Sequence, residues 1–172
     1  MAESILWTLV FFVYVLTVGL SPVLALAIVL LSRRRSTTAA LGSIVGAVAG
    51  IVTLGATAGF ALLSWRAGIV LFLAGQGALL GLAVIPVLVG RGVVRWRTGI
   101  EREDALRVAV TAWPVALAGS FALFVAPGGF ARYNITFLSG AAAVLAWLAW
   151  GVVVLVGPGL LGTLGVRFRR RL

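Results

Sequence analysis

The 172-residue chain has no cysteine, no histidine and no lysine, and its one methionine is Met1. Without cysteine there is no disulfide, no thiolate metal ligand, no thiol nucleophile and no site for S-palmitoylation. Lack of histidine removes the usual zinc and haem ligand and the commonest general base. Lack of lysine excludes a Schiff base to retinal or pyridoxal. Acids are almost as scarce: Glu3, Glu101, Glu103 and Asp104 are the four, and none lies inside an apolar stretch. Ionisable groups within spans mark proton relays and ion paths, so this distribution argues against an ion-coupled pump. These absences leave no catalytic residue, no cofactor site and no metal site to assign, and an enzyme is not expected.

What remains is mostly apolar. Hydrophobic residues make up 62% of the chain and charged ones 10%, with a mean hydropathy of +1.19. A soluble domain averages about half apolar and roughly a quarter charged. The composition leaves no material for a separate soluble domain, so a single transmembrane domain, 1–172, is expected. Five apolar stretches, at about 5–31, 39–63, 67–90, 108–126 and 135–156, each approach or exceed the roughly 20 residues that cross a bilayer. The expected fold is therefore all-α, a polytopic bundle of five transmembrane helices.

The arginines orient this bundle. Arg33, Arg34 and Arg35 follow the first stretch; Arg91, Arg95, Arg97, Arg102 and Arg107 follow the third; Arg167, Arg169, Arg170 and Arg171 follow the fifth. The other two gaps hold only Arg66 and Arg132. Basic residues beside spans stay on the cytoplasmic side, which predicts an N-terminus outside and a C-terminus inside. Segments 32–38 and 90–107 become cytoplasmic loops, and 167–172 a basic cytoplasmic tail. Aromatic residues agree: Trp7, Trp65, Phe130 and Tyr133 fall at the expected outer boundary and Trp96 at the inner one. The expected location is a cell membrane, a prokaryotic plasma membrane. The N-terminus lacks the basic region of a secretory signal and its apolar run is too long for one, so it reads as a retained span.

A net charge of +10 invites a nucleic-acid reading, but here the charge lies next to spans. Anionic lipid headgroups are the nearer partner, at about 1 kcal/mol per arginine near the surface. Arg33, Arg34, Arg35, Arg167, Arg169, Arg170 and Arg171 are the expected headgroup contacts, and no nucleic acid is expected.

Several local patterns carry expectations of their own. Gly42, Gly46 and Gly50 recur every four residues in the second stretch, followed by Gly55 and Gly59. Such a face lets another helix approach closely in lipid. It is read as packing against this chain's own helices, with a homo-oligomer or another membrane subunit as the alternative. Gln76 is an amide within the third stretch, and a buried amide in lipid requires a partner. Thr53, Thr57, Ser120 or a backbone carbonyl is expected to supply it; a polar permeation path is the competing reading. Residues 98–101, Thr-Gly-Ile-Glu, match a capping box with Thr98 as N-cap, which places Glu101, Glu103 and Asp104 at the start of a helix. That accounts for the three acids without a metal site.

Pro22 and Pro114 are expected to kink their helices. The Gly157-Pro158-Gly159 run leaves two courses open for residues 160–166: a bent continuation of the fifth helix, or a segment along the interface. Trp147 and Trp150, one turn apart, are read as helix packing in preference to a stacking surface for a flat lipid. The sequon at Asn134-Ile135-Thr136 abuts the fifth stretch, where a glycosyltransferase has little room. Together these features predict a non-catalytic multi-pass membrane protein, a subunit or scaffold packing with itself or with other membrane proteins. The alternative is a small channel or transporter component for neutral or hydrophobic solutes.

Overall fold

A computed structural model describes residues 2–125 and 141–171. Among these the chain is helical apart from short turns, with no strand. The helices are α1 (Ala2–Leu31), α2 (Thr37–Leu62), α3 (Trp65–Ala78), α4 (Ile85–Thr98), α5 (Arg102–Val125) and α6 (Ala141–Arg169). A π-helical turn, Leu79–Val84, carries α3 into α4 without a break. Five helical runs among the described residues are long and apolar enough to cross a membrane, α3 to α4 counting as one run, Trp65–Thr98. Their surface is what lipid requires: Leu62, Leu54 and Ile51 are 82%, 72% and 69% exposed. Side chains of this kind, each costing about 1.5–3 kcal/mol to hold in water, make an apolar surround the stable one.

The chain forms two compact units, Met1–Ile85 and Pro86–Leu172. The first is made by α1, α2, α3 and the π turn. Ser36 caps α2, its hydroxyl accepting from the Ala39 amide at 3.1 Å, and Ser64 caps α3 by accepting from Ala67 at 3.2 Å. Only Leu63 and Ser64 separate α2 from α3, so the two run antiparallel and in contact, as the short link predicts. Glycine sets their spacing. A Cβ on Gly68 would lie 2.6 Å from the Phe60 Cβ and 2.9 Å from the Ala56 carbonyl oxygen.

The second unit joins α4, α5 and α6. Gly90 and Gly159 bring α4 and α6 together: a Cβ on Gly159 would stand 3.0 Å from the Gly90 Cα and 2.6 Å from the Val93 Cβ. Against α5, Gly162 meets Val108 and Gly157 meets Ala116. Small residues thus replace the hydrophobic effect, absent in lipid, with close van der Waals contact. Leu106, Val110, Trp113 and Leu117 of α5 fill the centre of this unit.

Three local expectations meet the structure here. The run around Pro158 does not end a helix: α6 continues to Arg169 with Pro158 buried inside it, so residues 160–166 extend the helix. The stretch 90–107 is helical on both sides of a break at residues 99–101, because arginine and valine continue α4 past the apolar stretch; arginine is a strong helix former. The capping box at Thr98 is corrected. Thr98 is the last residue of α4, its hydroxyl bonded to the Val94 carbonyl at 2.6 Å. Gly99, at φ 68° the positive-φ residue among those described, donates its N–H to the Arg95 carbonyl at 2.9 Å. That is the αL ending of a helix, which glycine favours and which overrides a Thr N-cap at this place. Helix α5 starts instead at Arg102, with the Glu101 carbonyl accepting from Ala105 and with Glu103 and Asp104 in its first turn. The acids sit where the helix dipole favours them, as expected.

Candidate functional site

Prolines interrupt the hydrogen-bond ladders, and the chain repairs them locally. Pro22 inside α1 has no N–H for the carbonyl of Val18, four residues back. The Ser21 hydroxyl, fully buried, donates to that carbonyl at 2.8 Å. At Pro86 the remedy differs. A proline ring in a regular helix strikes the carbonyl four residues earlier, here Leu82. The π turn widens the backbone just before it, with the Ile85 amide reaching back five residues to Leu80. Such turns are uncommon and cluster at functional positions.

Gln76 lies on α3 one turn before that widened segment. Its Nε2 donates to the Ala49 carbonyl at 3.1 Å and to the Thr53 Oγ1 at 3.3 Å, both on α2. Thr53 in turn donates to Ala49 at 2.8 Å. The amide, the hydroxyl and the carbonyl form one small polar cluster between two apolar helices. Beside it, a Cβ on Gly75 would meet Val52 at 2.5 Å. The glycine next to Gln76 brings α2 near enough for these bonds to form.

The five α2 glycines divide. Gly59 packs within the chain, its missing Cβ lying 2.8 Å from Leu71 and 3.8 Å from the Gly68 Cα. Around Gly42, Gly46, Gly50 and Gly55 no such neighbour lies within 4 Å among the described residues. The spacing of Gly42, Gly46 and Gly50 puts them on one helical face, with Ser43 alongside, its hydroxyl turned back to the Ala39 carbonyl at 2.9 Å. With its hydroxyl satisfied locally, the surface offered is backbone, Cα hydrogens and methyl groups.

The expected headgroup arginines are exposed. Arg33, Arg34 and Arg35 occupy the turn after α1; Arg167 and Arg169 lie in the last turn of α6, and Arg170 and Arg171 in the turn that follows it. Trp65 and Trp96, 57% and 80% exposed, each have an arginine over the ring, Arg66 at 5.3 Å and Arg97 at 5.2 Å. Phe130, Tyr133, Arg132 and the 134–136 sequon lie outside the described residues. In the second unit the end of α6 returns to the end of α4: an Arg170 guanidinium N–H donates to the Thr98 carbonyl at 3.3 Å. Beside this contact is a cleft of about 430 Å³ lined by Ile100, Asp104, Arg107, Val108, Val166, Arg169 and Arg170. Sequence reading misses its α5 wall. The i, i+3, i+4 spacing sets Asp104, Arg107 and Val108 on one face of α5, but no spacing shows that the end of α6 comes beside them.

Comparison with protein-family models, characterised proteins and solved structures gives no match.

Proposed function

We propose that this chain is a non-catalytic membrane subunit or scaffold whose α2 face packs against a second copy or another membrane protein. The observation that carries it is the open space beside Gly42, Gly46 and Gly50. Gly59, Gly68, Gly90 and Gly159 admit a neighbouring backbone or side chain, whereas Gly19, Gly77 and Gly81 are open as well, so it is the open space together with three glycines at four-residue spacing that sets the α2 face apart. A glycine in a helix interior costs about 0.5–1 kcal/mol relative to alanine. Three at one spacing, with no described residue of their own unit seated on them, fit a helix supplied from outside.

The arginine distribution supports an N-terminus outside and a C-terminus inside; the proposed location is a prokaryotic plasma membrane. In the second unit Arg95, Arg97, Arg102 and Arg170 come to one end of the helices, as a single membrane face would require. Arg33–35 and the α6 tail then meet anionic headgroups. The rival reading, a small channel or carrier for neutral solutes, rests on Gln76 and the proline-bearing helices. Gln76 already spends its amide on α2, which favours the packing reading.

The test is the native mass of the chain in lipid nanodiscs, with identification of any protein that co-purifies. Wild type is expected as a homo-oligomer or with a stoichiometric partner, and Gly46→Leu as the lone chain. A lone wild-type chain, or a Gly46→Leu variant that folds and keeps its native mass, removes the packing role of this face.

A further inference from the structure

We infer that the cleft at the α4–α5 turn and the end of α6 is a specific site for the phosphodiester headgroup of an anionic lipid. Its walls supply two chemistries. Arg107 of α5, Arg169 at the end of α6 and Arg170 just after it, far from Arg107 in sequence, line one volume of about 430 Å³. Guanidinium groups match phosphate oxygens in bidentate geometry. Ile100, Val108 and Val166 form the other part of the lining, an apolar wall suited to the first carbons of an acyl or glycerol segment. A soluble phosphate has no use for that wall; a lipid does.

Two further details shape the site. The bond from Arg170 to the Thr98 carbonyl ties the α6 end to the rim of the cleft, so part of its ordering cost is met before a ligand arrives. Asp104, on the same wall as Arg107, adds one carboxylate acceptor. It repels a second phosphate and accepts from a hydroxyl, which selects a singly charged headgroup with a polyol, such as phosphoglycerol. The volume falls within the ordinary range for small-molecule sites. This inference rests on the membrane placement of the chain and is independent of what meets the α2 face.

Native mass spectrometry of the full chain in neutral detergent, titrated with phosphatidylglycerol, phosphatidylcholine or glycerol phosphate, tests it. One phosphatidylglycerol per chain should be retained, with phosphatidylcholine at least about tenfold weaker. The Arg107→Gln/Arg169→Gln pair should lose about tenfold or more in affinity for phosphatidylglycerol, whereas Arg91→Gln/Arg95→Gln, which removes the same charge from residues that do not line the cleft, should bind as wild type. Arg107→Lys preserves charge and tests the same point if the double variant does not fold: it should lose several-fold through the missing fork geometry. Equal binding by wild type and the cleft variants overturns the site. So does an equal loss in the Arg91/Arg95 variant, which would make the effect one of general charge. Glycerol phosphate binding as tightly as the lipid would overturn the lipid assignment.

Discussion

Ser21 gives its hydroxyl hydrogen to Val18, the carbonyl that Pro22 leaves without a helical donor, over 2.8 Å in a fully buried position. Serine before proline is here a replacement for a backbone amide. In Ser21→Ala the carbonyl loses this partner, and a loss of about 1 kcal/mol in stability is expected by thermal unfolding in detergent. In a Pro22→Ala background the backbone amide returns, and the same change should cost only a few tenths of that, about 0.3 kcal/mol. Equal costs in both backgrounds would show that the two residues are not linked.

Gln76 and Thr53 both bond the Ala49 carbonyl, so their contributions overlap. Gln76→Leu and Thr53→Val should each lower stability by about 0.6–1 kcal/mol, and the double variant by less than the sum. Neither should alter the passive leak of glycerol into proteoliposomes. A wild-type glycerol flux that Gln76→Leu abolishes would transfer the assignment to permeation.

Glycines at the α4–α6 crossing are predicted to be intolerant of even one carbon. Gly159→Ala places a Cβ 3.0 Å from backbone atoms of Gly90, and a loss of about 1–3 kcal/mol follows from overpacking. Gly165→Ala on the same helix meets nothing within 4 Å and should be neutral or slightly stabilising. Thermal midpoints of the two variants side by side check the contrast.

Gly99 isolates backbone strain from packing. Its φ is 68° and nothing lies within 4 Å of the position a Cβ would take. Gly99→Ala should therefore cost about 1 kcal/mol through conformation alone, and Gly99→Asn less, since asparagine tolerates this region better. If alanine costs nothing, the turn between α4 and α5 has another backbone solution.

The absence of native cysteine makes the proposed orientation directly measurable. Arg34→Cys in intact cells should react with a membrane-impermeant maleimide only after permeabilisation. Arg66→Cys should react without it. The reverse pattern would invert the orientation.

The helical spans were legible because apolar runs of twenty or more residues admit few other structures, and a three-residue gap admits only an antiparallel pair. Gln76 was legible as a hydrogen-bonding residue, with Thr53 among its expected partners, because a lone amide in an apolar run must find one. Local readings were weaker. Thr98 followed by Glu101 fits a helix start, yet Gly99 between them fits a helix end, and the second won because α4 persists through Arg95 and Arg97. The π turn leaves no mark in composition beyond Pro86 itself. Around Pro158, buried contacts with α4 keep the helix going where propensity alone would stop it. Whether a glycine face is filled from within or without depends on the distance to other helices, which no spacing in α2 encodes; the cleft arginines likewise meet only after folding.

At the α4–α5 turn and the α6 end, nine arginines, at 91, 95, 97, 102, 107, 167 and 169–171, face only three acids, Glu101, Glu103 and Asp104. A membrane voltage acts on that imbalance. At about 2.3 kcal/mol per unit charge per 100 mV, six net charges correspond to roughly 14 kcal/mol of electrical work for this end of the molecule. The voltage across the membrane at the moment of insertion thus becomes a force on which way the newly made chain settles, and a de-energised membrane withdraws it.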